Sequence, residues 1–262
     1  VSDLINKIIC GDCLDVMKKI PDNFIDLTLT SPPYDNLRKY TGYSFNFEPI
    51  ASQLFRIIKN GGVLIWVVGD QTINGSESGT SFRQALYFKE IGFNLHDTMI
   101  YQKRNYVPLT HRRYEQSFEY MFILSKGKPN TFNPVMIDCK NSGKIELYGK
   151  GRRSLLDDSQ AMRSPDKSYS MVTKNKKIHS NIFSYPCGTN KNGHPAPFPE
   201  QLAEDHILTW SNENDIVFDP FIGGGTTAKM ALISNRRFIG CDSSIEYCEM
   251  ANDIILKTGK KL

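Results

Sequence analysis

The sequence predicts an α/β fold: a doubly wound, mostly parallel sheet carrying one long inserted segment. Three observations carry that expectation. Strand and helix patterns alternate along most of the 262 residues, the arrangement that builds parallel sheets with crossover helices. The apolar run Val63-Leu-Ile-Trp-Val-Val68 reads as a strand covered on both faces. The glycine-rich turn Asp219-Pro-Phe-Ile-Gly-Gly-Gly-Thr-Thr227 sits between a short strand and a helix, where the backbone must turn tightly.

Each element follows from its pattern. Residues 12–20 are helical in spacing, and 24–30 read as a strand that stops at Ser31-Pro32-Pro33. Phe47, Ile50, Ala51, Leu54, Phe55 and Ile58 recur on one helical face. Asn60-Gly61-Gly62 ends that helix, and residues 63–68 form the buried strand. A polar, glycine-rich stretch over 69–80 leads to a helix over 82–91, and 93–102 and 117–124 read as two more strands. Beyond Lys126 the pattern dissolves until about Tyr185, a stretch too long for an ordinary loop. It reads as an inserted binding element or a partly disordered one. Order returns with a helix over 198–210, a strand over 216–218, a helix over 226–234, a strand over 238–241 and a helix over 245–256. The expected organisation is one half over 1–126, an inserted segment over 127–185 and a second half over 186–262.

Composition narrows the class. With 40% apolar and 23% charged residues the chain is ordinary globular material. The longest apolar run has six residues, against about twenty for a membrane helix. No signal-peptide pattern is visible, so a soluble, cytoplasmic protein without a membrane partner is expected. Net charge is only +4, but residues 140–179 hold ten basic side chains against four acidic ones. That block suggests a polyanionic partner, or more simply a solvated loop. The six cysteines are scattered and read as free thiols. Cys10 and Cys13 form a C-x-x-C, but no second pair or paired histidine follows at zinc spacing, so no metal site is expected.

Two motifs carry chemistry. Free N–H groups where the glycine turn opens its helix favour an anionic group. Asp242 ends the next strand, about twenty residues on, the position of a ribose-hydroxyl acceptor in nucleotide-binding βαβ units. Together they indicate an adenosine-containing ligand, although the spacing is not that of a dinucleotide fingerprint and no phosphate-binding G-K-[S/T] occurs. A plain tight turn with a surface Asp is the alternative. At Ser31-Pro32-Pro33-Tyr34, two prolines fix an extended corner and remove two N–H donors. A hydroxyl, outward carbonyls and an aromatic ring then gather at the carboxyl end of a parallel strand. The alternative there is a stiffened turn with a packed Tyr.

In this order the two motifs resemble those of the S-adenosylmethionine-dependent DNA methyltransferases that modify exocyclic amines. Their signatures are Asp, Asn or Ser followed by Pro-Pro-aromatic, and Asp-Pro-Phe-x-Gly-x-Gly-Thr-Thr. Gly11-Asp12 looks like the family's adenine-contacting element, and Asn60-Gly61-Gly62-Val63-Leu64 like the turn after its second helix. Residues 113–126 resemble the strand element before the target-recognition region. His194-Pro-Ala-Pro-Phe-Pro-Glu200 resembles the segment that opens the helix before the cofactor loop. Catalytic motif first and cofactor loop last, with the basic segment between, is the circularly permuted order of the β subgroup within the class I methyltransferase-like fold.

The resemblance implies roles. Ser31 Oγ and the Pro32 carbonyl would accept the two amino hydrogens of the target base, with Pro33 stiffening the corner and Tyr34 stacking on the base. Asp242 would hold the ribose hydroxyls of S-adenosylmethionine and Asp12 its adenine. Asp219, Phe221, Gly223, Gly225 and Thr226 would hold the methionine end, with His194 nearby or purely structural. The target amine lies inside double-stranded DNA, so the base must be flipped out. Arg38 and Lys39, on the loop over 35–45, would meet phosphates. Arg152 and Arg153 are the first candidates in the basic segment for DNA contact. Pro186-Cys187 lies outside the catalytic position and is a coincidental match to ring-carbon cytosine enzymes. Serine in the first motif position leans toward N4 of cytosine, with N6 of adenine as the alternative. Amino-methylation of RNA or of a protein glutamine goes with the reverse motif order. A non-catalytic DNA-binding module with a retained fold is the remaining reading. The resemblance is compatible with a homodimer and with a cognate restriction endonuclease.

Overall fold

A computed structural model describes residues 2–33, 45–106, 112–140, 145–148, 169–172, 174–187 and 199–259. They divide into two compact units, one of Val1–Asn133 with Asn181–Leu262 and one of Pro134–Ser180. In chain order the larger unit begins with β1 (Lys7–Cys10), α1 (Cys13–Lys18), β2 (Ile25–Thr30), α2 (Phe47–Ile57) and β3 (Ile58–Val68). It continues through a small hairpin of β4 (Thr72–Ile73) and β5 (Ser76–Glu77), then α3 (Thr80–Glu90), β6 (Asn94–Lys103) and β7 (Phe118–Ser125). The smaller unit holds β8 (Met136–Asp138), β9 (Ile145–Tyr148), β10 (Tyr169–Val172) and β11 (Lys176–Ile178). These pair as two antiparallel ribbons, β8 with β11 and β9 with β10. The chain then returns to the larger unit with β12 (Ile182–Tyr185), α4 (Glu200–Trp210), β13 (Ile216–Asp219), α5 (Thr226–Ile233), β14 (Arg237–Asp242) and α6 (Ile245–Gly259).

Among the described residues, eight strands form one sheet in the order β1-β14-β13-β2-β3-β7-β6-β12. The pairings from β1 through to β3 are parallel, as is β12 on β6. Of these described strands, only β7 runs against its two neighbours. The expected mostly parallel, doubly wound sheet is therefore the observed one. Its central strands are buried on both faces, which is why Val63 to Val68 reads as an unbroken apolar run. Leu64, Trp66 and Val68 join a core with Val16, Met17, Ile50, Leu54 and Phe88 of α1 to α3. By the two-residue pleat, the buried Val63, Ile65 and Val67 face the other way. On that side α4 packs on β2 and α5, and α5 on α6.

Three local features differ from the sequence expectation. The first strand, β1, has a half-exposed pattern over four residues and gives no periodic signal. α2 stops at Ile57, and β3 begins at once, before the glycines. There Gly61 takes φ +81°, and a Cβ on Gly62 would stand 2.9 Å from the Asp26 carbonyl. The polar stretch also hides β12, whose Ile182–Tyr185 alternates exposed and buried and pairs with β6. Among the described residues, no helix is long and apolar enough to cross a membrane.

Helix ends are anchored by charge. Arg56 donates to the Ile20 and Met17 carbonyls at the end of α1, at 2.9 and 2.7 Å. Lys126 donates to the Phe55 and Ile58 carbonyls at the end of α2, at 2.7 and 3.0 Å. Both place a cation at the carboxyl end of a helix, where the helix dipole is negative.

Candidate active site

The neighbouring parallel strands β1, β14, β13 and β2 end along one edge of the sheet. Ligands of open α/β sheets bind outside this carboxyl edge. Gly11 and Asp12 follow β1, Asp242 closes β14, Asp219 closes β13, and Ser31 follows β2. Strands lie about 4.8 Å apart, so the row spans roughly 15 Å. The backbone links its members. Gly11 N donates to the Asp242 carbonyl at 2.8 Å, and Ile222 N to the Cys241 carbonyl at 2.9 Å.

Asp12 is exposed, and its carboxylate caps α1 by accepting from Leu14 N at 2.7 Å. Asp242 is half-buried. One of its oxygens accepts from Gly223 N at 3.1 Å and the other from Ser244 N at 2.9 Å. A carboxylate offers about four lone-pair sites. Two remain beyond these bonds, enough for a pair of vicinal hydroxyls.

Asp219 lies deeper, 5% exposed. It accepts from Thr30 Oγ1 at 2.6 Å, Thr227 Oγ1 at 2.7 Å and Phe221 N at 3.0 Å. Burial pushes its carboxyl up to about 6, against the pull of those three donors. The Thr30 bond joins residues 189 apart and ties the strand that leads to Ser31 onto the glycine loop. Within that loop Gly223 and Gly225 have φ of +47° and +84°. Gly225 caps α5 against α6, where a Cβ would stand 2.9 Å from Ala251 Cα. Thr226 opens α5, half-buried. The Phe221 ring meets Phe45 edge-on at 5.8 Å and Trp66 at 6.4 Å.

Ser31 and Pro33 are half-buried and Pro32 buried. Tyr34, Arg38, Lys39, Arg152, Arg153 and His194 lie outside the described residues. The structure thus brings together Asp12, Ser31, Pro32, Pro33, Asp219, Phe221, Gly223, Gly225, Thr226 and Asp242 on one edge. Sequence reasoning missed Thr30 and Thr227, whose partner Asp219 is visible only in three dimensions. It also missed Asp70, just past the end of β3. That buried carboxylate accepts from Ser81 N at 2.9 Å and from the hydroxyls of Ser78 and Ser81, fixing the start of α3. An acid following the buried strand in Gly69-Asp70 was the available signal.

Comparison with known proteins gives consistent results. Residues 25–253 match the model of a family described as DNA methylase, covering N6 and N4 enzymes. The chain is 54% identical over 246 residues to the orphan methyltransferase M.BamHII of Bacillus amyloliquefaciens, covering 90% of each chain. Among solved structures it resembles the cytosine-N4-specific PvuII DNA methyltransferase, with a TM-score of 0.68, 20% identity and coverage of 96% and 91%. It also resembles M1.HpyAVI in its complex with S-adenosylmethionine, with a TM-score of 0.63, 22% identity and coverage of 95% and 98%.

Proposed function

The chain belongs to the DNA methylase family of N6 and N4 amino methyltransferases, and we propose that it moves a methyl group from S-adenosylmethionine to the N4 amine of a cytosine flipped out of double-stranded DNA. The observation that carries this reading is the Thr30–Asp219 hydrogen bond. It holds the strand bearing Ser31-Pro32-Pro33 and the glycine loop at neighbouring strand ends, so an amine acceptor and a nucleoside cradle share one edge.

The residues present suit the cofactor. Asp242 keeps two lone-pair sites for the ribose hydroxyls, beside Asp12 at the adenine end. The loop of Phe221, Gly223, Gly225 and Thr226 receives the amino-acid end. Asp219 serves that loop from below, as the clasp that sets its shape. When bound, S-adenosylmethionine supplies an electrophilic methyl group on a sulfonium.

The chain's own task is to make an exocyclic amine nucleophilic and aim it. The amine's lone pair is conjugated into the ring. Acceptance of its two hydrogens by Ser31 Oγ and the Pro32 carbonyl favours a pyramidal nitrogen with the lone pair directed at the methyl group. Tyr34 stacks on the base, offsetting part of the few kcal/mol that flipping costs. Aiming that amine at the methyl group of a bound S-adenosylmethionine would complete the chain's part; the N–C bond would form as the S–C bond breaks, and the amine would give up one hydrogen as a proton to solvent. Arg38, Lys39, Arg152 and Arg153 serve as phosphate and DNA contacts.

The N4 assignment rests on serine in the first motif position. Incubating the protein with labelled S-adenosylmethionine and unmethylated genomic DNA, followed by nucleoside mass spectrometry, tests it. N4-methylcytosine is the expected product. N6-methyladenine would overturn the base assignment alone, and unlabelled DNA would overturn the whole reading.

A further inference from the structure

Large rings in this fold pack on one another: Trp66 against Phe47, Phe88 and Phe221, and Tyr120 against Phe82, Phe118 and Phe122. Tyr114 does the opposite and is 101% exposed. It sits just before β7, on the connection from β6. Strand directions place the start of β7 on the same edge as Ser31, because β7 runs against β3 with Tyr120 opposite Val68. β7 lies two strands from β2, so the start of β7 stands about 10 Å along the edge from the end of β2.

The ring is held out by a braced base. Arg113 donates to the Gly75 carbonyl of the β4–β5 hairpin and stands 4.0 Å from Glu77 of the same hairpin. The hairpin is in turn fastened through Ser78 to Asp70, at 3.0 Å. Arg112, the residue before Arg113, is exposed. An unpacked planar ring two residues from an exposed arginine, next to the braced Arg113, has the chemistry of a group that stacks between bases while a cation meets the phosphates.

We propose that Tyr114 enters the DNA base stack at the place a flipped base leaves. This rests on the proposed function above. Flipping leaves a gap whose neighbours have lost a stacking partner, and a ring that leads into β7, two strands along the edge from the corner that takes the base, is placed to enter that gap. The ring would favour the flipped state by replacing the lost stacking.

The test uses duplex oligonucleotides carrying the site found by sequencing DNA that the wild-type protein has methylated. One duplex is fully matched. The other carries a mismatch opposite the target base, which lowers the unpairing cost. Tyr114→Ala is expected to slow methylation of the matched duplex roughly 10- to 100-fold and to approach the wild-type rate on the mismatched one. Tyr114→Phe should keep the wild-type rate on both. Melting of Tyr114→Ala should match wild type, since the ring contacts no core. An unchanged rate on the matched duplex overturns the proposal. So does an equal loss on both duplexes, which would mark a simple affinity contact. If the wild-type protein methylates no DNA, the proposed function fails instead.

Discussion

Replacing Thr30 with valine removes one hydroxyl from beneath the site and nearly preserves shape. The bond lost is 2.6 Å long, buried and made to a carboxylate. Hydrogen bonds to charged partners contribute about 1.5–3 kcal/mol. A loss of about 2 kcal/mol should lower the melting temperature by roughly 4–8 °C. The pH dependence makes the expectation specific. Asp219 titrates at about 6 in the folded protein, above its ordinary 3.8. The folded state therefore binds this proton more tightly than the unfolded chain does. Its contribution to stability is complete below about 3.8 and is lost as the pH rises through about 6. Thr30 lowers that value, so its removal raises it and deepens the loss above it. The deficit of Thr30→Val should thus be largest near pH 8, where the carboxylate is charged. It should shrink to about 1 kcal/mol near pH 5, where the bond is neutral. Urea unfolding at the two pH values measures this. In an Asp219→Asn background the pH dependence of the deficit should vanish. A deficit equal at both pH values, or one that keeps its pH dependence in that background, would refute the coupling argued for Asp219.

Three further substitutions probe the same frame. Gly225→Ala forces φ +84° on a residue with a Cβ and sets that atom 2.9 Å from Ala251 Cα. It should cost at least about 2 kcal/mol and weaken cofactor binding, read by melting and by titration calorimetry. Asp242→Ala removes the acceptor proposed for the ribose and the loop anchor on Gly223 N. Its Kd for S-adenosylmethionine should rise roughly 10- to 100-fold, and an unchanged titration would count against that role. Burial drives the His206 imidazole from 6.5 down to about 4. Its support for folding is complete above 6.5 and is lost as the pH falls toward about 4. His206→Leu should therefore flatten the acid-side decline in urea stability between pH 7 and 5, and an unaltered decline would contradict this.

Much of this architecture was legible because its signals are local. Val63 to Val68 announces a two-sided strand, and the glycine loop and double proline punctuate strand ends. The parts that escaped are those whose meaning lies elsewhere in the chain. Lys7–Cys10 is a strand because residues 237–242 lie beside it, not because of its own pattern. Ile182–Tyr185 is built on β6 from within a polar stretch. Thr30 reads as one more strand residue until Asp219 is brought against it. Tyr34, half of the amine site in the sequence reading, lies outside the described residues, as does the basic pair Arg152 and Arg153.

The sheet order has a consequence for synthesis. β1 and β2 are consecutive in the chain, yet β14 and β13 lie between them. While a ribosome is still making residues 134–215, the emerged portion lacks its two middle strands. β1 and β2 each present an open edge, and a gap about two strands wide separates what will become neighbours. Such edges invite pairing with other chains. Completion is abrupt: residues 216–242 enter as a pair, close both edges and bring Asp219 under Thr30. A nascent chain therefore lacks a working cradle and acquires one only when this late segment slots into place. Delivered as a separate peptide, the segment from α4 onward should restore a sheet to the earlier portion of the chain, a complementation dictated by topology rather than by any single contact.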